Sequence, residues 1–226
     1  MIRLEVSSAA RGAYAGWRIG LLEIEDLFPR GEGAELDAEV ALVEKGLASR
    51  FGGLGRKELA RTEPARLYAE HFARSGKAYP VLLQAEGAAT KGRRIAMGDP
   101  LVRAMFAAEL EGMLLTAGHD LDALKPPLHL ELASGSESMP TLGGSEKAPP
   151  PGDLVMRDEL GIFASVLLGP DSRTSIAPTT SRLLFVIYAP PGLAEESILR
   201  QAARLAELAA LACPSARAGA LEITEL

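Results

Sequence analysis

Residues 152–192, GDLVMRDELGIFASVLLGPDSRTSIAPTTSRLLFVIYAPPG, decide the fold class. Gly, Pro and Ser separate the apolar runs at 154–157, 162–168 and 183–188. Short apolar runs bounded by turn residues are typical of neighbouring strands in a sheet. The same pattern predicts further strands at 17–27, 128–133 and 220–224. Residues 133–153 are rich in Pro and Gly, and they predict a loop with at most a short strand at 139–142.

Between these strands, apolar residues recur mostly at the three- to four-residue spacing of helices. Residues 34–51 predict a helix that ends at Gly52-Gly53, and its apolar positions are Leu36, Val40, Leu42, Val43, Leu47 and Phe51. Further helices are predicted at 62–75, 80–90, 99–118 and 198–212, the third with Asp99 as its cap and Gly118 at its end.

Helices followed by strands, without regular alternation, predict an α+β fold. We expect a single domain over residues 1–226, in which a helical N-terminal half packs on a mostly antiparallel sheet. The C-terminal helix is amphipathic.

The composition excludes several classes of protein. With 226 residues, of which 47% are hydrophobic and 24% charged, the chain can form a core and is not disordered. One Cys and three scattered His exclude a disulfide framework and the thiolate zinc clusters, so no metal is expected. The sequence has no apolar run long enough for a membrane span and no signal peptide, which predicts a cytoplasmic protein. The common nucleotide-binding, zinc-hydrolase and serine-hydrolase motifs are absent, and no cofactor is expected.

The charge is unevenly distributed along the chain. The net charge is −6, yet residues 50–103 contain eleven basic and five acidic residues. Such a segment attracts a polyanion such as RNA, most clearly at Lys91, Arg93 and Arg94. The alternative is an ordinary solvated helical surface.

Two polar clusters are candidate sites. Gly118-His119-Asp120-Leu121-Asp122 follows a predicted helix, where the imidazole and carboxylates could orient a water or a substrate amine. The alternative is that both Asp side chains accept hydrogen bonds from loop amides and that His119 is exposed. Residues 169–175 and 179–181 concentrate hydroxyls and one guanidinium, which suit a ribose, a carboxylate or a phosphate, although a plain hairpin loop explains them equally.

Several motifs carry a resemblance to a known family. They are WRIGLLEIEDL at 17–27, LYAEHFARSGKAYP at 67–80, the stretch from Asp99-Pro100-Leu101-Val102 to His119-Asp120-Leu121-Asp122, and residues 152–192. In this order and spacing they resemble the B3/B4 domain of the phenylalanyl-tRNA synthetase beta subunit over about residues 17–213. The resemblance implies an α+β fold with a pocket between the sheet and the Asp99 helix. In the synthetase, that pocket hydrolyses tyrosine wrongly attached to the phenylalanine tRNA.

The chain departs from the family at the residues of the editing pocket. The family's threonine, histidine, paired glycines and glutamate fall at Met105, Ala117, Leu168-Gly169 and Val186. Because Met, Ala and Val offer no partner for a buried phenol, we expect no selectivity for tyrosine.

The resemblance therefore implies a stand-alone module that binds the 3′ end of an aminoacyl-tRNA, with trans-editing hydrolysis of its ester. His119, Ser172 and Thr174 are the candidate catalytic residues, and Lys91, Arg93 and Arg94 are the candidate RNA-binding residues. The candidate substrate-binding residues are Met105, Asp120, Gly169, Arg173 and Val186. Because a loop arginine contributes little to a core, Arg173→Ala is expected to preserve stability. The alternatives are a non-catalytic module that binds RNA or an amino-acid-like ligand, and a purely structural or interaction domain.

Overall fold

The computed structural model describes residues 2–31, 33–95 and 98–226. Its helices are α1 (Ser8–Ala13), α2 (Ala34–Phe51), α3 (Arg56–Leu59), α4 (Ala65–Arg74), α5 (Pro80–Lys91), α6 (Pro100–Gly112) and α7 (Glu195–Ala212). Its strands are β1 (Leu4–Val6), β2 (Arg18–Glu25), β3 (Thr116–Asp120), β4 (Leu128–Leu132), β5 (Met139–Pro140), β6 (Glu146–Lys147), β7 (Leu154–Asp158), β8 (Gly161–Ser165), β9 (Gly169–Pro170), β10 (Leu183–Ala189) and β11 (Arg217–Glu225). The fold is α+β, which confirms the predicted class.

Contacts between Cα atoms divide the chain into two compact units, each formed by segments distant in sequence. Unit 1 consists of Met1–Asp26, Ala117–Pro191 and Ala218–Leu226. Unit 2 consists of Leu27–Thr116 and Gly192–Arg217. A single domain over the whole chain stays a prediction.

Unit 1 contains the strands, apart from the first residue of β3 and of β11. Its five-stranded sheet has the order β1-β4-β7-β8-β9, and its four-stranded sheet has the order β11-β2-β10-β3. β1 pairs with β4 in parallel, whereas the pairs β2-β10, β4-β7, β7-β8 and β8-β9 are antiparallel. All seven residues of β10 are buried, as a continuous apolar run predicts for a strand covered on both faces.

Unit 2 is a group of packed helices. α2 packs against α5, α6 and α7, and α6 packs against α7. The face of α2 that consists of Leu36, Val40, Val43, Leu47 and Phe51 is buried. Leu42, which was predicted to lie on this face, is 61% exposed. It lies two residues after Val40, which places it off the stripe formed by positions three and four apart.

The end of α6 differs from the prediction. Asp99 caps the helix, since its side chain accepts a hydrogen bond from the Leu101 amide at 2.9 Å. However, the helix ends at Gly112 and Met113 adopts a left-handed conformation with φ 55°, so Gly118 lies within β3. The apolar sequence continues through the break, and it conceals the change from helix to strand.

The short elements β1, α1 and α3 were not predicted, because three to six residues carry too little periodicity. No helix among the described residues is both long and apolar enough to span a membrane.

Candidate functional site

In unit 1 the structure brings together two of the three predicted catalytic residues. β3 carries His119, and the loop after β9 carries Thr174. The Asp120 amide donates to the Thr174 carbonyl at 2.7 Å, and His119 Nδ1 lies 2.8 Å from Thr174 Oγ1. The Thr174 hydroxyl and amide both donate to Oδ1 of Asp171. Because that hydroxyl proton points to Asp171, the hydroxyl accepts from His119 Nδ1–H, and Nε2 is left with its lone pair.

Burial controls the chemistry of His119. Its side chain is fully buried, with the Phe163 ring edge-on at 4.9 Å between centroids. Burial, together with the positive charge of Arg173, lowers the pKa of His119 to about 3. No other described residue offers Nε2 a hydrogen bond. The imidazole is therefore neutral near pH 7. It is also a poor general base, because a general base works best with a pKa near the working pH. The alternative of an exposed loop histidine is wrong.

Arg173 is held by an ion-pair network within unit 1. Its two terminal nitrogens each lie 3.0 Å from an oxygen of Asp158, whose side chain is fully buried. The guanidinium also donates to the Ala123 carbonyl at 3.0 Å, and Nε lies 3.4 Å from Asp171 Oδ2. These contacts contradict the reason for expecting Arg173 to contribute little to stability, because the side chain neutralises a buried carboxylate. Its predicted role in substrate binding stays a prediction.

Asp120 forms a turn of the kind that the sequence offered as the alternative to a reactive cluster, whereas Asp122 accepts hydrogen bonds from the side chains of Ser181 and Arg182. Asp120 Oδ1 accepts from the Asp122 amide at 2.9 Å, and Oδ2 accepts from the Thr180 hydroxyl at 2.8 Å. Asp122 pairs with Arg182 and accepts from the Ser181 hydroxyl at 2.7 Å. These bonds fix the end of β3 against residues 180–182.

The other candidate residues of unit 1 occupy varied surroundings. Ser172 is exposed, and its amide donates to the Pro140 carbonyl at 2.9 Å. Gly169 begins β9 with φ 87°, a conformation that favours glycine. Val186 is fully buried in β10, opposite Leu21 of β2. Their part in substrate binding is a matter of prediction.

Met105 belongs to unit 2, where it is buried in α6. The pocket that the resemblance implies, between a sheet and this helix, would need residues of both units and stays a prediction.

Glu109, which lies one turn after Met105, was not predicted from the sequence as a candidate site residue. Its side chain is only 3% exposed, and Oε1 accepts from the Thr116 amide at 2.9 Å. Burial raises the pKa of Glu109 to about 8. The signal in the sequence was an acidic residue within the apolar run of 101–114.

The predicted RNA-binding residues lie at the C-terminal end of α5. Gly92 ends the helix in a left-handed conformation, and Lys91, Arg93 and Arg94 are all exposed. We name the group Arg56, Lys91, Arg93 and Arg94 the α5 basic surface.

Acidic residues neutralise the α5 basic surface only in part. Glu86 Oε2 is shared by Arg56 at 2.6 Å and Lys91 at 3.7 Å. Glu44 pairs with Arg94 at 2.9 Å, whereas Arg93 has no ion pair among the described residues. Four cations against two carboxylates leave an excess of two positive charges.

Comparisons with known proteins find similarity to solved structures. No protein-family model matches this chain, and no curated protein matches it. The chain is similar to an N-terminal fragment of the phenylalanyl-tRNA synthetase beta-subunit from Pyrococcus horikoshii, with 12% sequence identity and a TM-score of 0.48. The similarity covers 96% of this chain and 50% of the fragment, so the chain spans about half the length of that structure.

Proposed function

We propose that the chain is a module of the B3/B4 type that binds tRNA through the α5 basic surface, with the 3′ end of an aminoacyl-tRNA as the ligand. The observation that carries the proposal is the excess of positive charge on exposed side chains at the end of α5. A chain with a net charge of −6 gains RNA affinity only where its cations are concentrated. The sequence resemblance supports tRNA as the class of RNA.

The test is a triple substitution, Lys91→Ala, Arg93→Ala and Arg94→Ala. Each lost contact to a phosphate removes the release of bound counterions, so we expect tRNA to bind at least tenfold more weakly in ~100 mM salt. The slope of log K against log salt should become shallower by about 2 to 3. Fluorescence anisotropy with labelled tRNA measures both quantities.

The matched control replaces Arg3, Lys125 and Lys147, which are exposed residues of unit 1. It removes the same charge from the chain, so an effect of net charge alone would appear in both variants. Equal affinities for the two triple variants would contradict the assignment of the α5 basic surface.

Hydrolysis of the aminoacyl ester is the second candidate function. It is favoured by the sequence resemblance and by the free lone pair of His119 Nε2, which is an acceptor for a proton. Against it stand the full burial of His119 and its low pKa. We therefore propose tRNA binding as the principal activity.

A deacylation assay tests the residue correspondence on which the second function rests. With tyrosyl and phenylalanyl esters on the same tRNA, we expect no tyrosine-selective hydrolysis, because Met105, Ala117 and Val186 offer a phenol no polar side chain. Tyrosyl-tRNA hydrolysed at least about tenfold faster than phenylalanyl-tRNA would contradict this residue correspondence.

A further inference from the structure

Unit 2 contains a cavity of about 720 Å³ lined by residues of α2, α4, α6 and α7 and their neighbouring loops. Its volume lies within the ~300 to 1,000 Å³ typical of sites for small molecules. The apolar part of the lining includes Pro64, Leu67, Leu114 and Leu193. The cavity could therefore accept an apolar group, and its charged residues decide what else the ligand carries.

The acidic side chains of the lining are all paired. Glu63 pairs with Arg66 at 2.6 Å. Glu111 and Glu207 both pair with Arg204, at 2.7 and 2.9 Å. Each of these lining carboxylates thus already has a guanidinium partner within the protein.

Two guanidinium groups of the lining have no such partner. Within the part of the chain that the structure describes, Arg50 donates only to the Glu111 carbonyl at 3.2 Å, and it lies over the Phe51 ring. Within the same residues, Arg200 donates only to the Ser197 hydroxyl at 2.9 Å. Neither has a carboxylate partner among the described residues. These two groups therefore keep hydrogen-bond donors for a ligand, and guanidinium donors suit a carboxylate.

Gln201 supplies an acceptor. Its side chain is 3% exposed, and Nε2 donates to Thr116 Oγ1 at 3.2 Å. The Thr116 hydroxyl itself donates to the Leu114 carbonyl at 3.0 Å, so it must accept from Gln201, and this fixes the amide orientation. Oε1 then points toward Gly112, where a Cβ atom would approach it to 2.3 Å. No described residue donates to this oxygen in a hydrogen bond, and it can accept from a ligand.

We infer that this cavity binds a small carboxylate that bears an apolar side chain and a neighbouring hydrogen-bond donor, the chemistry of an apolar α-amino or α-hydroxy acid. Arg50 and Arg200 bind the carboxylate, Gln201 Oε1 accepts from the donor, and the leucines contact the apolar chain. This site is independent of the α5 basic surface and of tRNA binding.

Calorimetric titration of the full chain tests the inference with four probes of equal chain length. Norleucine and α-hydroxyhexanoate carry the carboxylate and the donor, hexanoate lacks the donor, and hexylamine has the opposite charge. We expect saturable binding of norleucine or α-hydroxyhexanoate, weaker binding of hexanoate and none of hexylamine. The tighter of the first two identifies the class of the ligand. If none of the acids binds with a Kd below about 1 mM, or if hexylamine binds as well as they do, the inference is overturned.

Two variants locate the binding. The double variant Arg50→Gln/Arg200→Gln should bind the acids at least tenfold more weakly. The control Arg61→Gln/Arg74→Gln removes the same charge from exposed positions outside the cavity, and its affinity for the acids should equal that of wild type. Ala203→Trp fills the cavity from an exposed position of α7 and should abolish binding, with Ala210→Trp as its control on the same helix. Retained affinity in Ala203→Trp would overturn the location.

Discussion

Replacing Glu109 by Gln is expected to stabilise the protein by about 4 kcal/mol at pH 8 and by less than about 1 kcal/mol at pH 5. The side chain is buried in α6, and burial raises its pKa from 4.5 to about 8. Between these two values the unfolded chain has released the proton and the folded protein still holds it. Stability that is fully present below pH 4.5 is therefore lost as the pH rises toward 8.

Glutamine keeps the acceptor for the Thr116 amide without a titrating proton. The measurement is urea unfolding of both proteins from pH 5 to 8. The pH dependence of wild-type stability alone does not isolate Glu109. The lowered pKa of His119 makes stability rise with pH between about 3 and 6.5, whereas the raised pKa of Glu109 makes it fall. The difference between the variant and wild type removes the contribution of His119.

The control is Glu35→Gln, at an exposed position of α2. The difference in the free energy of unfolding between this variant and wild type should not increase with pH. A constant difference between Glu109→Gln and wild type across the range would show that Glu109 is ionised in the folded protein.

The second large effect is expected for Arg173→Ala, which should destabilise the protein by about 3 kcal/mol. The change removes both hydrogen bonds from the guanidinium to Asp158 and leaves that buried carboxylate without its counter-charge. This expected loss of stability lies at the lower end of the range found when one partner of a buried ion pair is removed. The reason is that the Lys125 and Leu160 amides still donate hydrogen bonds to Asp158.

An exposed ion pair of the same unit provides the control. Arg182 pairs with Asp122, and both side chains are nearly half exposed. Arg182→Ala should cost less than about 1 kcal/mol, since water replaces the interaction. If unfolding in urea gave the two variants equal losses, the network around Arg173 would not be stabilising unit 1.

Periodicity predicted the long elements well. α2 and β10 were predicted to within one residue at each end, because each has an uninterrupted pattern that ends at Gly or Pro. The end of α6 could not be predicted, since the apolar residues continue past Gly112 into β3. His119, which was predicted to lie in a loop, is therefore a buried residue of β3.

The candidate sites depend on contacts between distant residues, which one sequence does not reveal. His119 meets Thr174 across 55 residues, and a hydroxyl in a polar loop gives no sign of that partner. Arg50 and Arg200 line one cavity although most of the chain separates them. The exposed cations after α5 were predictable, because a cluster of basic residues at the end of a helix is local.

The salt dependence of tRNA binding by the wild-type protein tests the central proposal most directly. If the α5 basic surface contacts three to four phosphates, the association constant should fall about 20- to 150-fold between ~50 and ~200 mM salt. Binding that is absent at ~50 mM salt, or that does not change with salt, would contradict tRNA recognition through this surface.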